Sequence, residues 1–270
     1  MFTIIFFSII FILLNEICCK SNFLTDQISF SKHKKFVKFD NKIPITGGLF
    51  IILSFLFLTF SDFNGTQLIL FLLIFIIGFF SDVFKNFSPQ LRLLLQILIC
   101  LLFISKSNIL IMDTRIDFID NYFIQFPELS IFFTIFCIIV LINGSNFIDG
   151  INLVAVGYFF FLFIGLLFLT EKFNLILDKK IILLLISLLT VVLIMNFMNK
   201  TLLGDGGVYF LAFITSFIII EFVNDNTIVS PYFAITVLWY PCFENLFSII
   251  RKIIFKINVS KPDNIHLHHL

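Results

Sequence analysis

Apolar runs long enough to cross a bilayer recur along the whole chain, separated by short polar clusters. Nine are read from hydropathy, at about 1–19, 45–60, 67–80, 91–105, 127–142, 152–169, 180–195, 208–222 and 231–250. Each should be helical, because backbone in lipid must satisfy its own hydrogen bonds. The shorter runs, roughly 14–17 residues, are expected to extend into their flanks. The pattern therefore predicts an all-α polytopic membrane protein, with residues 1–270 forming a single transmembrane domain. The first 19 residues resemble a signal peptide in hydropathy but lack a basic start. Lys20, the first cation, comes after the apolar run, so the stretch reads as a membrane helix with its N-terminus outside.

Composition agrees with that reading. The chain is 60% hydrophobic and only 13% charged, about half the charge of a soluble domain. A net charge of +1 gives no basic balance that would suggest nucleic acid. The five cysteines include no CxxC pair and sit in or beside apolar runs, where they read as small hydrophobes. Nine crossings sort the polar connections into two sets, and 13 of the 18 Lys and Arg fall in one of them. The positive-inside rule puts that set in the cytoplasm. The chemically suggestive clusters belong to the same set: "PITGG" (44–48), "SDVFKNFSPQLR" (81–92), "NGSNFIDGIN" (143–152), "GDGG" (204–207) and "HLHHL" (266–270).

Each cluster reads two ways. In "GDGG", glycines let backbone approach a ligand and the next helix presents free N–H groups, so Asp205 suits a hard cation that itself holds phosphate oxygens. It equally suits an Asp that caps a helix beside a glycine turn. In "NGSNFIDGIN", Asn143, Asn146 and Asp149 follow at intervals of three, on one face if the helix continues. That is a site for a metal, a sugar or a base edge, or a capped helix–loop–helix. Ser88 and Pro89 read as N-cap and first residue of a helix whose first turn carries Arg92. A cation there opposes the helix dipole and calls for an anionic partner: Asp82, a lipid headgroup or a substrate phosphate. Pro44 with Gly47 and Gly48 suggests a helix that begins with a close backbone approach. His266, His268 and His269 can bind zinc or contact phosphate. Glu244, an ionisable residue inside an apolar run, is a functional candidate by default.

The order of these motifs carries a resemblance that no single motif does. "SD…SPxxRLLLQ", "NxxNxxDGxN", "GDGG" and "PDxxHxHHL", on successive loops of the predicted cytoplasmic side, resemble the polyprenyl-phosphate N-acetylhexosamine-1-phosphate transferases. The last motif is closer to the UDP-GlcNAc:undecaprenyl-phosphate branch than to the phospho-MurNAc-pentapeptide translocases. The resemblance implies transfer of N-acetylhexosamine-1-phosphate from a UDP-sugar, UDP-GlcNAc being the commonest, to polyprenyl phosphate, with release of UMP. That is the first membrane step of a cell-envelope polysaccharide. It implies Mg²⁺, or Mn²⁺, as cofactor, a bacterial plasma-membrane location, and as partners the UDP-N-acetylhexosamine, the polyprenyl phosphate and membrane lipid. It excludes nucleic acid and leaves a homodimer open.

By the same resemblance, Asp82, Asp149 and Asp205 carry catalysis. Asp205 and Asp149 hold the metal, and Asn146, Arg92, Lys200, His266, His268 and His269 bind substrate. The chain departs from the family pattern at Ser81, where an Asp is usual, and at Asn152, where many relatives have a second Asp. The segment before "GDGG", with Asn196 and Lys200, is one residue short and lacks the usual Pro. Relatives continue beyond the His motif on which this sequence stops, so a truncated C-terminus is expected. A second class remains open: a non-catalytic relative or a transporter that binds lipid-linked sugar.

Overall fold

The computed structural model describes residues 2–21, 24–26, 43–84, 87–150 and 152–255. They form ten helices and one minimal strand pair. In chain order these are α1 (Phe2–Ser21), β1 (Thr25–Asp26), β2 (Ile43–Pro44), α2 (Gly47–Leu58), α3 (Gly65–Val83), α4 (Pro89–Ser107), α5 (Asp117–Gln125), α6 (Pro127–Ile148), α7 (Val154–Phe173), α8 (Lys179–Phe197), α9 (Gly204–Asp225) and α10 (Pro231–Ile254). The two strands pair antiparallel, Thr25 opposite Pro44 and Asp26 opposite Ile43.

The all-α, multi-span expectation holds, with two adjustments. Eight helices among the described residues are long and apolar enough to cross a membrane. The ninth expected span, 45–60, is α2, whose 12 residues reach only about 18 Å at ~1.5 Å per residue. Thr59 ends it with its backbone N–H and its hydroxyl both donated to the Phe55 carbonyl, and the chain turns directly into α3. The expected loop 106–126 contains α5. This helix carries Asp117 and Asp120 in its first turn, where negative charge suits the dipole. It sends Phe123 inward against Phe133. Nine residues are too few to register as an apolar run, so hydropathy passed over it.

α9 is the axis of the bundle. Val208 through Ile220 are buried almost without a break, the mark of a helix surrounded by other helices. α3 runs antiparallel along it, so that Phe63 meets Phe217, Phe71 meets Phe210 and Phe213, and Ser81 meets Asp205. α4 returns parallel to α9 and adds Phe103 to the same aromatic cluster. α2, α6 and α10 also pack on α9, and α10 lies along α6.

These packings gather the polar loops at two opposite ends. One end holds the starts of α2, α4 and α9 and the ends of α3, α6 and α8. At the other, Asp62 pairs with Lys180, Arg115 donates to the Thr227 carbonyl, and Asn226 bonds the backbone of Ile176.

Candidate active site

The first of these ends is built around the entry to α9. Residues 201–203 run beside the entry to α2: Leu202 N–H donates to the Pro44 carbonyl, and Gly47 and Gly48 N–H donate to the carbonyls of Leu202 and Leu203. The free N–H groups of the first turn of α2 are thereby satisfied by another segment. The close approach expected from "PITGG" is real, since a Cβ on Gly48 would lie 2.6 Å from the Gly207 Cα. Asn15 of α1 locks the crossing. Its Nδ2 donates to the Lys200 carbonyl, its Oδ1 accepts from the Thr46 hydroxyl, and Thr46 also shares a hydrogen bond with Thr201.

A second tie comes from Asn196, at the end of α8. Its Nδ2 donates to the Thr201 carbonyl at 2.8 Å and its Oδ1 accepts from Leu153 N–H at 2.9 Å. Asn152 Nδ2 adds bonds to the Asn196 carbonyl and to Asn199 Oδ1. One amide thus joins the loop that follows Asp149 to the loop that precedes Asp205. It also holds Leu153 at φ 72°, a conformation L-residues with large side chains rarely adopt.

Asp205 lies within the first turn of α9 and is not its cap; the N-cap is Leu203, which offers no side-chain acceptor. The acceptor comes from α3. Asp82 Oδ2 lies 3.4 Å from Gly206 N–H, at the positive end of the α9 dipole. Gly204 makes this possible: its φ is +75°, and a Cβ there would meet Asp82 Oδ2 at 2.8 Å and strike Ile45. Asp205 instead faces Ser81 and Arg92. Ser81 Oγ donates to Asp205 Oδ2 at 2.8 Å, Arg92 Nη1 donates to Ser81 Oγ at 2.6 Å, and Arg92 Nη1 stands 3.7 Å from Asp205 Oδ2. Ser88 and Pro89 are the N-cap and first residue of α4, as expected, and Arg92 follows in the first turn. Its anionic partner is Asp205, reached through Ser81, and not Asp82.

α6 continues past the predicted 142 to Ile148 and brings Asn143, Asn146 and Asp149 to the same end. Asp149 caps the helix, and its charge acts on Asp82 together with that of Asp205. Asn143 Nδ2 donates to Gln96 Oε1 at 3.0 Å, which joins α6 to the face of α4 that carries Arg92 one turn earlier. Gln96 is fully buried, and its Nε2, like Asn146 Nδ2, makes no hydrogen bond among the described residues. Such buried donors are expensive without a partner, and a ligand acceptor would supply one.

Asp82 and Asp205 thus meet at the entry to α9 with Arg92 beside them, and Asp149, from the end of α6, is near enough to act on Asp82 through its charge. Lys200 lies exposed at the same end, its carbonyl held by Asn15. His266, His268 and His269 lie outside the described residues, as does most of the loop 20–44. Glu244 is buried on α10, on the face toward α6, where the neighbouring Asn245 donates to the Val140 carbonyl. Sequence reasoning missed Tyr209, which is buried within electrostatic reach of Asp205, Asp82 and Arg92. Its position four residues after Asp205 was the available signal, since that spacing places both on one helix face.

The donor set has a definite character. Counted formally, three carboxylates against one guanidinium make the cluster net negative, opposite in sign to a bound cation. Its donors are hard oxygens. Among the described residues no three His, Cys, Asp or Glu side chains come together to cage a metal. Among the described residues the arrangement fits a hard cation such as Mg²⁺ held by one or two carboxylates, with room for phosphate oxygens to complete it.

Two comparisons bear on this site. The model of glycosyl transferase family 4 matches residues 65–223. A protein of Bacillus subtilis (strain 168) named "Probable undecaprenyl-phosphate N-acetylglucosaminyl 1-phosphate transferase" is 27% identical over 205 residues, covering 73% of this chain and 55% of the relative. The chain therefore spans about half the length of the curated relative it matches. The family match begins at the first residue of α3 and ends in the last turn of α9, so it contains Ser81, Asp82, Arg92, Asp149 and Asp205 together. The chain belongs to glycosyl transferase family 4.

Proposed function

We propose that the protein transfers N-acetylhexosamine-1-phosphate from a UDP-sugar, UDP-GlcNAc first among candidates, to a polyprenyl phosphate. A phosphate oxygen of the lipid forms the new bond to the sugar-bearing phosphorus, the phosphoanhydride bond to that phosphorus breaks, and UMP leaves. The observation that carries the reading is the meeting of Asp82 and Asp205 with Arg92 at one end of an apolar bundle, with Asp149 within electrostatic reach. Family membership and the printed name of the B. subtilis relative support it. Phosphoryl transfer asks a protein mainly for positioning and charge neutralisation, and this cluster offers both. A lipid phosphate meets a water-soluble nucleotide at the membrane surface, which is where a site at the end of the bundle stands. The bias of Lys and Arg toward these loops supports a cytoplasmic face and, for a bacterial protein, the plasma membrane.

Mg²⁺, or Mn²⁺ in its place, would be held by Asp205 and Asp149 with Asp82 beside them, and would neutralise charge on the diphosphate. The protein's own groups do the rest. Arg92 offers a cation for phosphate oxygens, Gln96 Nε2 and Asn146 Nδ2 offer buried donors, and Asp82 holds the start of α9 in place. Lys200 and the three histidines would bind the nucleotide-sugar.

One observation favours a second reading. Ser81 stands where the family usually has an acid, as it would in a relative that binds lipid-linked sugar without turning it over. One experiment separates the two: UMP release by the purified full-length protein in detergent, with undecaprenyl phosphate and a panel of UDP-N-acetylhexosamines, with and without Mg²⁺. Mg²⁺-dependent release with one sugar, lost in Asp205→Asn at unchanged thermal stability, supports the transferase. No release with any sugar from a folded protein overturns it in favour of the binding reading.

A further inference from the structure

We propose that Ser81 is a positioning residue: its hydroxyl keeps Arg92 from closing onto Asp205, so that both charges stay available to a divalent cation and the phosphates bound with it. This rests on the transferase reading. The hydroxyl has one proton and two neighbours. Arg92 has donors only, so it must donate to Ser81 Oγ, and the Ser81 proton must go to Asp205 Oδ2. Both bonds are short, 2.6 and 2.8 Å, so the hydroxyl is oriented from both sides.

The consequence is a spaced ion pair. A guanidinium in direct contact with a carboxylate sits at about 2.7–2.9 Å and often takes both oxygens in a fork. Here the nearest separation is 3.7 Å, and only Oδ2 is engaged through the hydroxyl. With Ser81 gone, the two charges are near enough to collapse into that fork, which would occupy Asp205 and spend the Arg92 charge. An acid at position 81 would draw Arg92 to itself and add a carboxylate beside Asp82 and Asp205. A neutral hydroxyl does neither. The departure from the family pattern at Ser81 is on this account a working part of the site.

The test compares wild type, Ser81→Ala and Ser81→Thr as full-length protein in detergent. Mn²⁺ binding is measured by electron paramagnetic resonance without substrate, and UMP release is titrated with Mg²⁺. Ser81→Ala is expected to weaken Mn²⁺ binding and raise the half-saturating Mg²⁺ about tenfold, the usual cost of losing a group that orients a metal ligand. The KM for the UDP-sugar should change far less, and Ser81→Thr, which keeps the hydroxyl, should restore both metal readouts. A merely structural role would lower stability and kcat without a selective shift in metal dependence. If Ser81→Ala does not fold, Ser81→Cys, of similar size but a weak donor, replaces it with the same expectation. A folded Ala or Cys variant that binds Mn²⁺ as wild type does overturns the role of Ser81. Wild-type protein that releases no UMP overturns the transferase reading instead.

Discussion

Replacing Asn196 by Ala should loosen both loops of the site at once. The side chain is buried and satisfies two backbone groups, the Leu153 N–H at 2.9 Å and the Thr201 carbonyl at 2.8 Å. Leaving a buried backbone group unpaired costs about 1–3 kcal/mol. Thr201 is fully buried and stands near the upper end of that range. Leu153 is half-buried, so water can partly replace the lost bond. Leu153 also sits in the left-handed region, a strain of roughly 1–2 kcal/mol that this bond holds in place, so its partial release offsets some of the cost. Together the loss comes to about 2–4 kcal/mol. At ~2–4 °C per kcal/mol for a chain of this size, the thermal midpoint should fall on the order of 10 °C. Asn196→Asp separates the two bonds. It keeps the acceptor for Leu153 but sets an oxygen against the Thr201 carbonyl, so it should be at least as damaging as Ala. The assay is thermal unfolding of purified protein in detergent, with UMP release measured well below the midpoint. An Ala variant with wild-type midpoint and turnover, or an Asp variant clearly milder than Ala, would refute the account of this amide as the tie between the loops.

Three further outcomes follow from the same geometry. Gly204→Ala forces a Cβ into the left-handed region, at roughly 1–2 kcal/mol, and against Asp82 and Ile45; Mg²⁺-dependent release should fall more than thermal stability does. Lys180→Ala removes an exposed ion pair with Asp62 at the opposite end of the bundle. It should cost less than about 1 kcal/mol, vanish at high salt and leave turnover unchanged. Asp120 is subject to burial that would raise its pKa, but hydrogen bonds from Thr114 and neighbouring N–H groups prevail and hold it below the usual carboxylate value. A lowered folded-state pKa means that its contribution is fully present above the ordinary Asp range near ~3.9 and is lost as pH falls through the folded value. The difference in thermal midpoint between wild type and Asp120→Asn should therefore be constant from neutral pH down to about 5 and shrink below about 4. A difference that grows on acidification would contradict the hydrogen-bond assignment.

By itself the sequence determined what depends on local pattern. Long uncharged runs without strand-like alternation satisfy their backbone in an apolar setting as helices, so the class and nearly every element were legible from residue type along the chain. The start of α4 at Ser88 and Pro89, the close approach at Gly48 and the shared end for Asp82, Asp149 and Asp205 could also be read, because caps, glycines and loop alternation are local signals. Tertiary structure decided the rest. Hydropathy sees neither that α2 stops at Leu58 nor that α5 forms, since a turn and a nine-residue amphipathic helix leave no long apolar run. Asp205 could have been a cap, and the structure instead gave the capping task to Asp82, 124 positions before the Gly206 N–H it accepts from. Arg92 needed an anion, but only the antiparallel packing of α3 on α9 and the return of α4 made Asp205 that anion and put Ser81 between them. Asn196 stood in the sequence only as part of the segment before "GDGG", and Asn15 carried no signal, until the segments they join met in space. These pairings are set by which helices lie side by side, and no periodicity in the sequence encodes a hydrogen bond across more than a hundred residues.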